Sequence, residues 1–313
     1  MPAKGIFTQC LVVLFDEAPT LDALTAALSP LGDTAAMPAG HHWSMGGEGL
    51  SIAMTHSTVG RIGTDIVPAP WPDDMGDPKE SPIVFGAWSF GNFGPGVFPG
   101  SLARTIPQSW QFEDAEQVAA EHQAFVRVRT TYVMGGGEDD PVLPEGYDAA
   151  AELQDAVRVA QAVLTLPGAR CLFLPAAETL NDGQGVADLV AHAAEVDAPP
   201  FELLVGVRLL QLAEHEPWTL MDTVGLGQLD QGDHEAIFKK EYDPSTVAGF
   251  LLNISQYAFE NVDVIADGDT VKGPGAVDWR AHKRESLYLP PRPVLRWVPL
   301  DGTKVPVALI DPV

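Results

Sequence analysis

The sequence predicts an α+β protein of two tandem α/β-sandwich units with mainly antiparallel sheets, ferredoxin-like in character. Three observations predict it. The order strand, helix, strands, helix, strand occurs twice, at roughly 6–134 and 125–265. Several strands alternate apolar and polar residues, as antiparallel strands with one wet face do, rather than running uniformly apolar as in a doubly wound sheet. At 313 residues, 46% of them hydrophobic, the chain can fill one large core or two medium ones.

The elements follow in order. Ile6 to Phe15 is an unbroken apolar run closed by Asp16 and Glu17, the pattern of a strand buried on both faces. Thr20 can cap a short helix carrying Leu21, Leu24 and Leu28, which Pro30 and Gly32 stop. Leu50 to His56 alternates as a strand, and Asp65 to Val67 suits another.

The span 68–107 is rich in proline and glycine, yet holds Trp71, Phe85, Trp88, Phe90, Phe93 and Phe98. So many aromatics predict a long ordered excursion rather than disorder. Beyond it, Asp114 and Gln117 have capping-box spacing ahead of a helix. Phe125 to Val133 alternates as a strand. Asp148 to Leu164 is the clearest helix, with Leu153, Val157, Ala160 and Leu164 on one stripe.

Cys171 to Leu174 is a short buried strand, and Asp182 starts a helix carrying Val186, Leu189, Val190 and Ala193. Leu203–Leu212 and Trp218–Leu226 predict antiparallel strands, with another near Glu235 to Phe238. Asp243-Pro244 is an N-cap followed by proline at the first helical position, opening a helix that buries Val247, Leu251, Ile254 and Tyr257. Domain organisation is expected as a first unit at 1–122, a second at 123–270, and a basic, proline-rich segment at 271–313 packing on the body.

Charge narrows the function classes. The net charge is −25, and it is spread: 18 acids against 6 bases in residues 1–147, and 25 against 12 in the remainder. Such a body repels nucleic acid and anionic membranes at long range and attracts a basic protein partner. Against the trend, Lys272 to Lys304 holds seven bases and three acids. No apolar run approaches the ~18 residues of a membrane helix. Only Lys4 precedes the first apolar run, and no small-residue cleavage site follows. A cytoplasmic setting is therefore expected. Cys10 and Cys171, both inside apolar runs, read as buried thiols of a reducing compartment.

No serine-nucleophile elbow, phosphate loop, zincin motif or paired CxxC is present. Gly94-Pro95-Gly96 and Gly225-Leu226-Gly227 lack the third glycine and helix of a dinucleotide fingerprint, so no cofactor is expected. His41, His42 and His56, with Glu48, are the residues that could offer ligands to a metal, but no spacing enforces their convergence. Glu214-His215-Glu216 on a strand would put the imidazole opposite both carboxylates, and His234 beside Glu235 is equally unspecific. Two acidic clusters stand out: Asp73, Asp74, Asp77 and Glu80 in the excursion, and Glu138, Asp139 and Asp140 in a glycine-led loop. They lack the spacing of a calcium loop and suit electrostatic docking. Trp71, Trp88 and Phe90 are the candidate aromatic anchors among them.

Three stretches carry a family resemblance: Phe7 to Phe15; Ile106-Pro107-Gln108-Ser109-Trp110 with the acidic helix and His122 to Val126 after it; and Met221 to Leu226 ahead of Asp233-His234-Glu235. In these the sequence resembles the bacterial domain-of-unknown-function family 4261. The resemblance implies bacterial origin and a non-enzymatic role, and transfers no catalytic residue. The expectation is an acidic immunity or accessory protein that neutralises a basic toxin or effector by direct binding. The alternatives are a metal-assisted hydrolase at His41, His42 and His56, and a self-associating structural protein.

Overall fold

A computed structural model describes residues 4–37, 39–40, 42–134, 141–196, 198–261 and 264–310. It is α+β, with two mostly antiparallel sheets of seven and six strands. Contacts divide the chain into two units, Pro2–Leu203 and Leu204–Val313. Both sheets are larger than the four strands of a ferredoxin-like unit. Among the described residues no helix is long and apolar enough to cross a membrane.

The first unit contains β1 (Gln9–Phe15), α1 (Leu21–Leu28), β2 (Thr34–Met37), β3 (Glu48–Ala53), β4 (Arg61–Val67), α2 (Pro82–Ser89), α3 (Ser101–Thr105), α4 (Ala115–Glu121), β5 (Ala124–Thr131), α5 (Ala149–Leu164), β6 (Ala169–Leu174), β7 (Thr179–Asn181) and α6 (Gly183–Glu195). Its sheet runs β2-β3-β4-β5-β1-β6-β7, every neighbouring pair antiparallel. β1 is buried along its whole length, as its uninterrupted apolar run requires.

The two faces of β1 serve different layers. α5 packs on β1, β5 and β6, burying Leu153, Ala156, Val157, Ala160 and Val163 behind a cap in which Asp148 accepts from the Ala150 and Ala151 amides. Cys10, Val12 and Leu14 join Trp71, Trp88, Phe93, Leu102, Phe125 and Phe173 in a second layer of core. The 68–107 excursion is thus ordered, and its aromatics roof the sheet. Gly94 makes this close approach feasible: at φ +97° a side chain would be strained, and a Cβ there would sit 2.8 Å from the Cys10 Cβ.

The expected break at 122/123 falls just ahead of β5, which lies between β4 and β1 in the first sheet. Cutting there would part three hydrogen-bonded strands, so contacts divide the chain at 203/204 instead. Asp114 makes no side-chain cap bond to α4, because its own backbone (φ −86°, ψ 7°) is not the extended conformation a capping residue uses.

The second unit begins at the short helix α7 (Phe201–Leu204), which straddles the division. β8 (Gly206–Gln211), β9 (Trp218–Val224), β10 (Asp233–Lys239), α8 (Pro244–Glu260), β11 (Thr270–Lys272), β12 (Asp278–Glu285), β13 (Pro293–Pro299) and α9 (Val307–Ile310) follow. The sheet order is β11-β12-β13-β10-β9-β8, with β10 and β13 parallel and the other pairs antiparallel. The segment at 271–313 is therefore built into this sheet. Its charged residues conceal a period of two, in which Trp279 and Ala281 point inward.

α8 covers one face, where Val247, Phe250, Leu251 and Ile254 meet Met221, Phe238, Trp279 and Trp297. The other face holds Trp218, Leu220, Ile237, Val298, Val305 and Leu309. Glu214 and His215 lie in a 3-10 turn at 213–215 rather than on a strand.

Candidate functional site

Three of the anticipated docking side chains have local structural duties. Asp73 accepts from the Leu102 and Ala103 amides at 2.8 Å each, capping α3. Asp74 accepts from the Gly76 amide at 2.7 Å, and Asp77 from those of Lys79 (2.7 Å) and Glu80 (3.3 Å). These Asx turns leave Asp74, Asp77 and Glu80 exposed just ahead of α2.

Trp71 and Trp88 are not surface anchors, being only 4% and 7% exposed. Trp71 meets Trp88, Phe93, Phe125 and Phe173 edge-on, with centroids 5.2–6.0 Å apart. The Trp71 amide donates to His122 Nε2 at 2.9 Å, and His122 Nδ1 donates to the Ala119 carbonyl at 2.9 Å. Burial lowers the His122 pKa, which suits a neutral ring that accepts at one nitrogen and donates at the other.

Phe90 is the aromatic left outside, 85% exposed. Its ring lies over Gly86, where an added Cβ would stand 3.9 Å away, and Ile83, one turn earlier on α2, is 47% exposed. Exposed Ile83 and Phe90 thus bracket α2, the element that follows exposed Asp74, Asp77 and Glu80 along the chain. Glu138, Asp139 and Asp140 lie outside the described residues.

His42 and His56 have separate partners. His41 lies outside the described residues, and His42 Nδ1 stands 2.9 Å from Ser44 Oγ. His56 Nδ1 is 2.9 Å from Asp155 Oδ2, and its Nε2 is 3.2 Å from Tyr132 Oη. Asp155 also accepts from the Thr55 amide and hydroxyl, 2.6 Å each, so α5 grips the turn after β3. Burial opposes ionisation of Asp155, but these donors and Arg158 overcome it and lower its pKa. Burial, reinforced by Glu152, raises the Tyr132 pKa. Among the described residues no three His, Cys, Asp or Glu side chains are placed to hold a metal.

Sequence reasoning missed two buried ionic clusters. In the first unit, Arg127 and Arg129 point from β5 to Asp65 on β4, at 2.5 and 3.0 Å. Asp65 also accepts from the Gly47 amide, while Arg127 donates to the Trp43 and Ser44 carbonyls. The guanidinium of Arg129 lies 3.9 Å from the Phe7 ring centroid. Burial alone would raise the Asp65 pKa, but the two arginines win and lower it. The same desolvation lowers Arg129 to about 10 and raises the Cys10 thiol to about 12.

In the second unit, Asp222 receives Arg208 (2.5 Å) and Arg292 (2.8 Å), and Arg292 also donates to Asp233 (2.9 Å). Glu235 pairs with Arg296 at 2.9 Å and accepts from the Leu287 amide at 2.8 Å. Arg296 reaches on to the carbonyls of Glu285, Leu309 and Ile310. Burial pushes the Asp233 and Glu235 carboxyls up against the pull of their arginines. On the opposite face of β10, His234 Nδ1 accepts from Trp297 Nε1 at 3.1 Å, and burial drops its pKa to about 3. The cluster ties β8, β9, β10 and β13 to the 285–292 connection and the C-terminal helix.

No curated protein and no solved structure matches this chain. The stretches resembling the family at 7–15 and 106–126 lie outside the region its model matches. That region begins at Asp222 and ends at Val298, and it contains every member of the second cluster but Arg208, together with His234 and Trp297. Through β9 to β13 the chain is thus similar to the family described as Domain of unknown function (DUF4261), whose model matches residues 222–298.

Proposed function

We propose that this protein acts by binding a basic protein, as a bacterial immunity or accessory factor covering the active surface of a toxin or effector. The observation that carries the reading is the exposure of Phe90 and Ile83 about α2, directly after exposed Asp74, Asp77 and Glu80 in the chain. An aromatic anchor with a charged rim is the composition of an interface hot spot. The charge of −25 would speed encounter with a basic surface. The test is capture of partners from the native host at rising salt. One basic protein retained in stoichiometric amount by the native chain, shed by added salt and missed by Phe90→Ala, is expected. Capture that Phe90→Ala leaves intact rejects this face.

A second reading, hydrolytic chemistry at His56, draws support from the Asp155–His56–Tyr132 chain, in which a carboxylate orients an imidazole toward a hydroxyl. Elemental analysis of the purified protein, with melting before and after chelation, tests its metal-assisted form. A metal-free preparation whose melting ignores the chelator defeats it.

A further inference from the structure

We propose that a groove between α5 and α6 binds the free C-terminal carboxylate of a peptide whose last side chains are apolar. The groove measures about 420 Å³ and lies wholly within the first unit. That size falls in the range of roughly 300–1,000 Å³ typical of small-ligand sites. Its floor is aliphatic: Val157 from α5, Val190, Ala193 and Ala194 from α6, and Ala198 with Pro199 beyond. Along α5, Gln154, Arg158 and Gln161 line the same groove. Their spacing of four and three residues sets them on one helical face.

Arg158 is the feature that selects the ligand. Its partner among the described residues is Asp155, at 3.2 Å, and Asp155 is already held by Thr55 and His56 at 2.6–2.9 Å. The side chain lines the groove and is 35% exposed, and its buried Nε has no hydrogen-bond partner among the described residues. In a chain this acidic, a guanidinium bordering an aliphatic floor marks the place where an anion is tolerated. Guanidinium and carboxylate are geometrically matched. The flanking glutamines offer both donors and acceptors, which suits a peptide group beside that carboxylate better than a bare alkyl chain. Alanines at 193, 194 and 198 leave room for the side chains. This inference is independent of the Phe90 face, so either can fail alone.

The test is an NMR titration of the isotope-labelled full chain with N-acetyl-Gly-Leu-Leu as free acid, as its C-terminal amide, and with octanoate as a non-peptide carboxylate. Saturable shifts on α5 and α6 are expected with the acid, with affinity at least tenfold weaker for the amide and for octanoate. Arg158→Gln and Ala194→Trp, the latter filling the groove from an exposed position, should each weaken the acid at least tenfold, Ala194→Trp without lowering the melting temperature. Should Arg158→Gln fail to fold, Ala194→Trp decides alone. Equal binding of acid and amide, absence of saturable binding, or binding that survives both variants overturns the proposal. Octanoate binding as tightly as the peptide overturns the peptide assignment.

Discussion

Glu235 and Arg296 face each other across the parallel pairing of β10 and β13, and both side chains are completely buried. Removing one partner strands a charge away from water, which costs about 3–5 kcal/mol. Arg296→Met should lower stability by that amount. Adding Glu235→Leu should recover the part due to the stranded carboxylate, while the Leu287 amide and the Glu285, Leu309 and Ile310 carbonyls remain without their partners. Denaturant unfolding of the wild type, both single variants and the double variant measures the coupling.

The two candidate anchors should separate cleanly. Trp88→Ala empties a core site and should cost about 3–5 kcal/mol. Phe90→Ala removes an exposed ring and should change stability by no more than about 0.5 kcal/mol. Thermal melting of the two variants distinguishes core from surface without knowledge of any partner.

Acid should loosen the first sheet. The fold holds Asp65 ionised with a pKa lowered by Arg127 and Arg129, whereas an unfolded aspartate titrates near ~3.9. Its contribution is complete above that value and disappears as pH falls through the lower folded pKa. Protection of β4 and β5 amides, relative to their intrinsic exchange rates, should fall below about pH 4. Asp65→Asn should show fast exchange already at neutral pH, because two arginines lose their counter-charge.

The thiols should be silent in the native state. Cys10 and Cys171 are free and buried, and burial raises both pKa values, that of Cys10 to about 12. Cys171 sits opposite Leu14, four residues along β1 from Cys10, ~13 Å at strand rise. A thiol reagent at pH 8 should label neither until denaturant is added, and then both. Labelling of either in native buffer contradicts the burial described.

Gly273 lies beneath Trp279, where a Cβ would stand 2.5 Å from the indole. Gly273→Ala should cost about 1–3 kcal/mol through overpacking. Intrinsic tryptophan fluorescence of the folded variant should shift as the ring is displaced.

What could be read from the sequence was what local periodicity encodes. β1 and β5 announced themselves by apolar and alternating runs, α5 by its stripe, and α8 by Asp243-Pro244. β12 escaped because charged residues dominate it, and Trp279 and Ala281 between those charges were too few to outweigh a basic tail. β13 escaped because Pro293 and Pro299 bracket its apolar run. Arg127, Arg129 and Arg296 escaped for a related reason: composition assigns arginine to water, and the counter-charge sits on another strand. Alternation in Phe125-Val126-Arg127-Val128-Arg129 was the available clue, since two arginines on one side of an otherwise apolar strand need an acid opposite. At the proposed docking site, acidic turns were legible from Asp before Gly and Pro. Which tryptophans roof the sheet was not, because that depends on where the excursion lands.

The parallel docking of β13 beside β10 supplies counter-charge that the strands before it lack. The hairpins of β8, β9 and β10 come first along the chain, and they bring Asp222, Asp233 and Glu235 with Arg208 alone to answer them. Without residues 292–296 that ribbon would have an open inner edge and unbalanced carboxylates, which favour water over a core. The acids that anchor the sheet would then hold the ribbon in water. Their role reverses when Arg292 and Arg296 close over them.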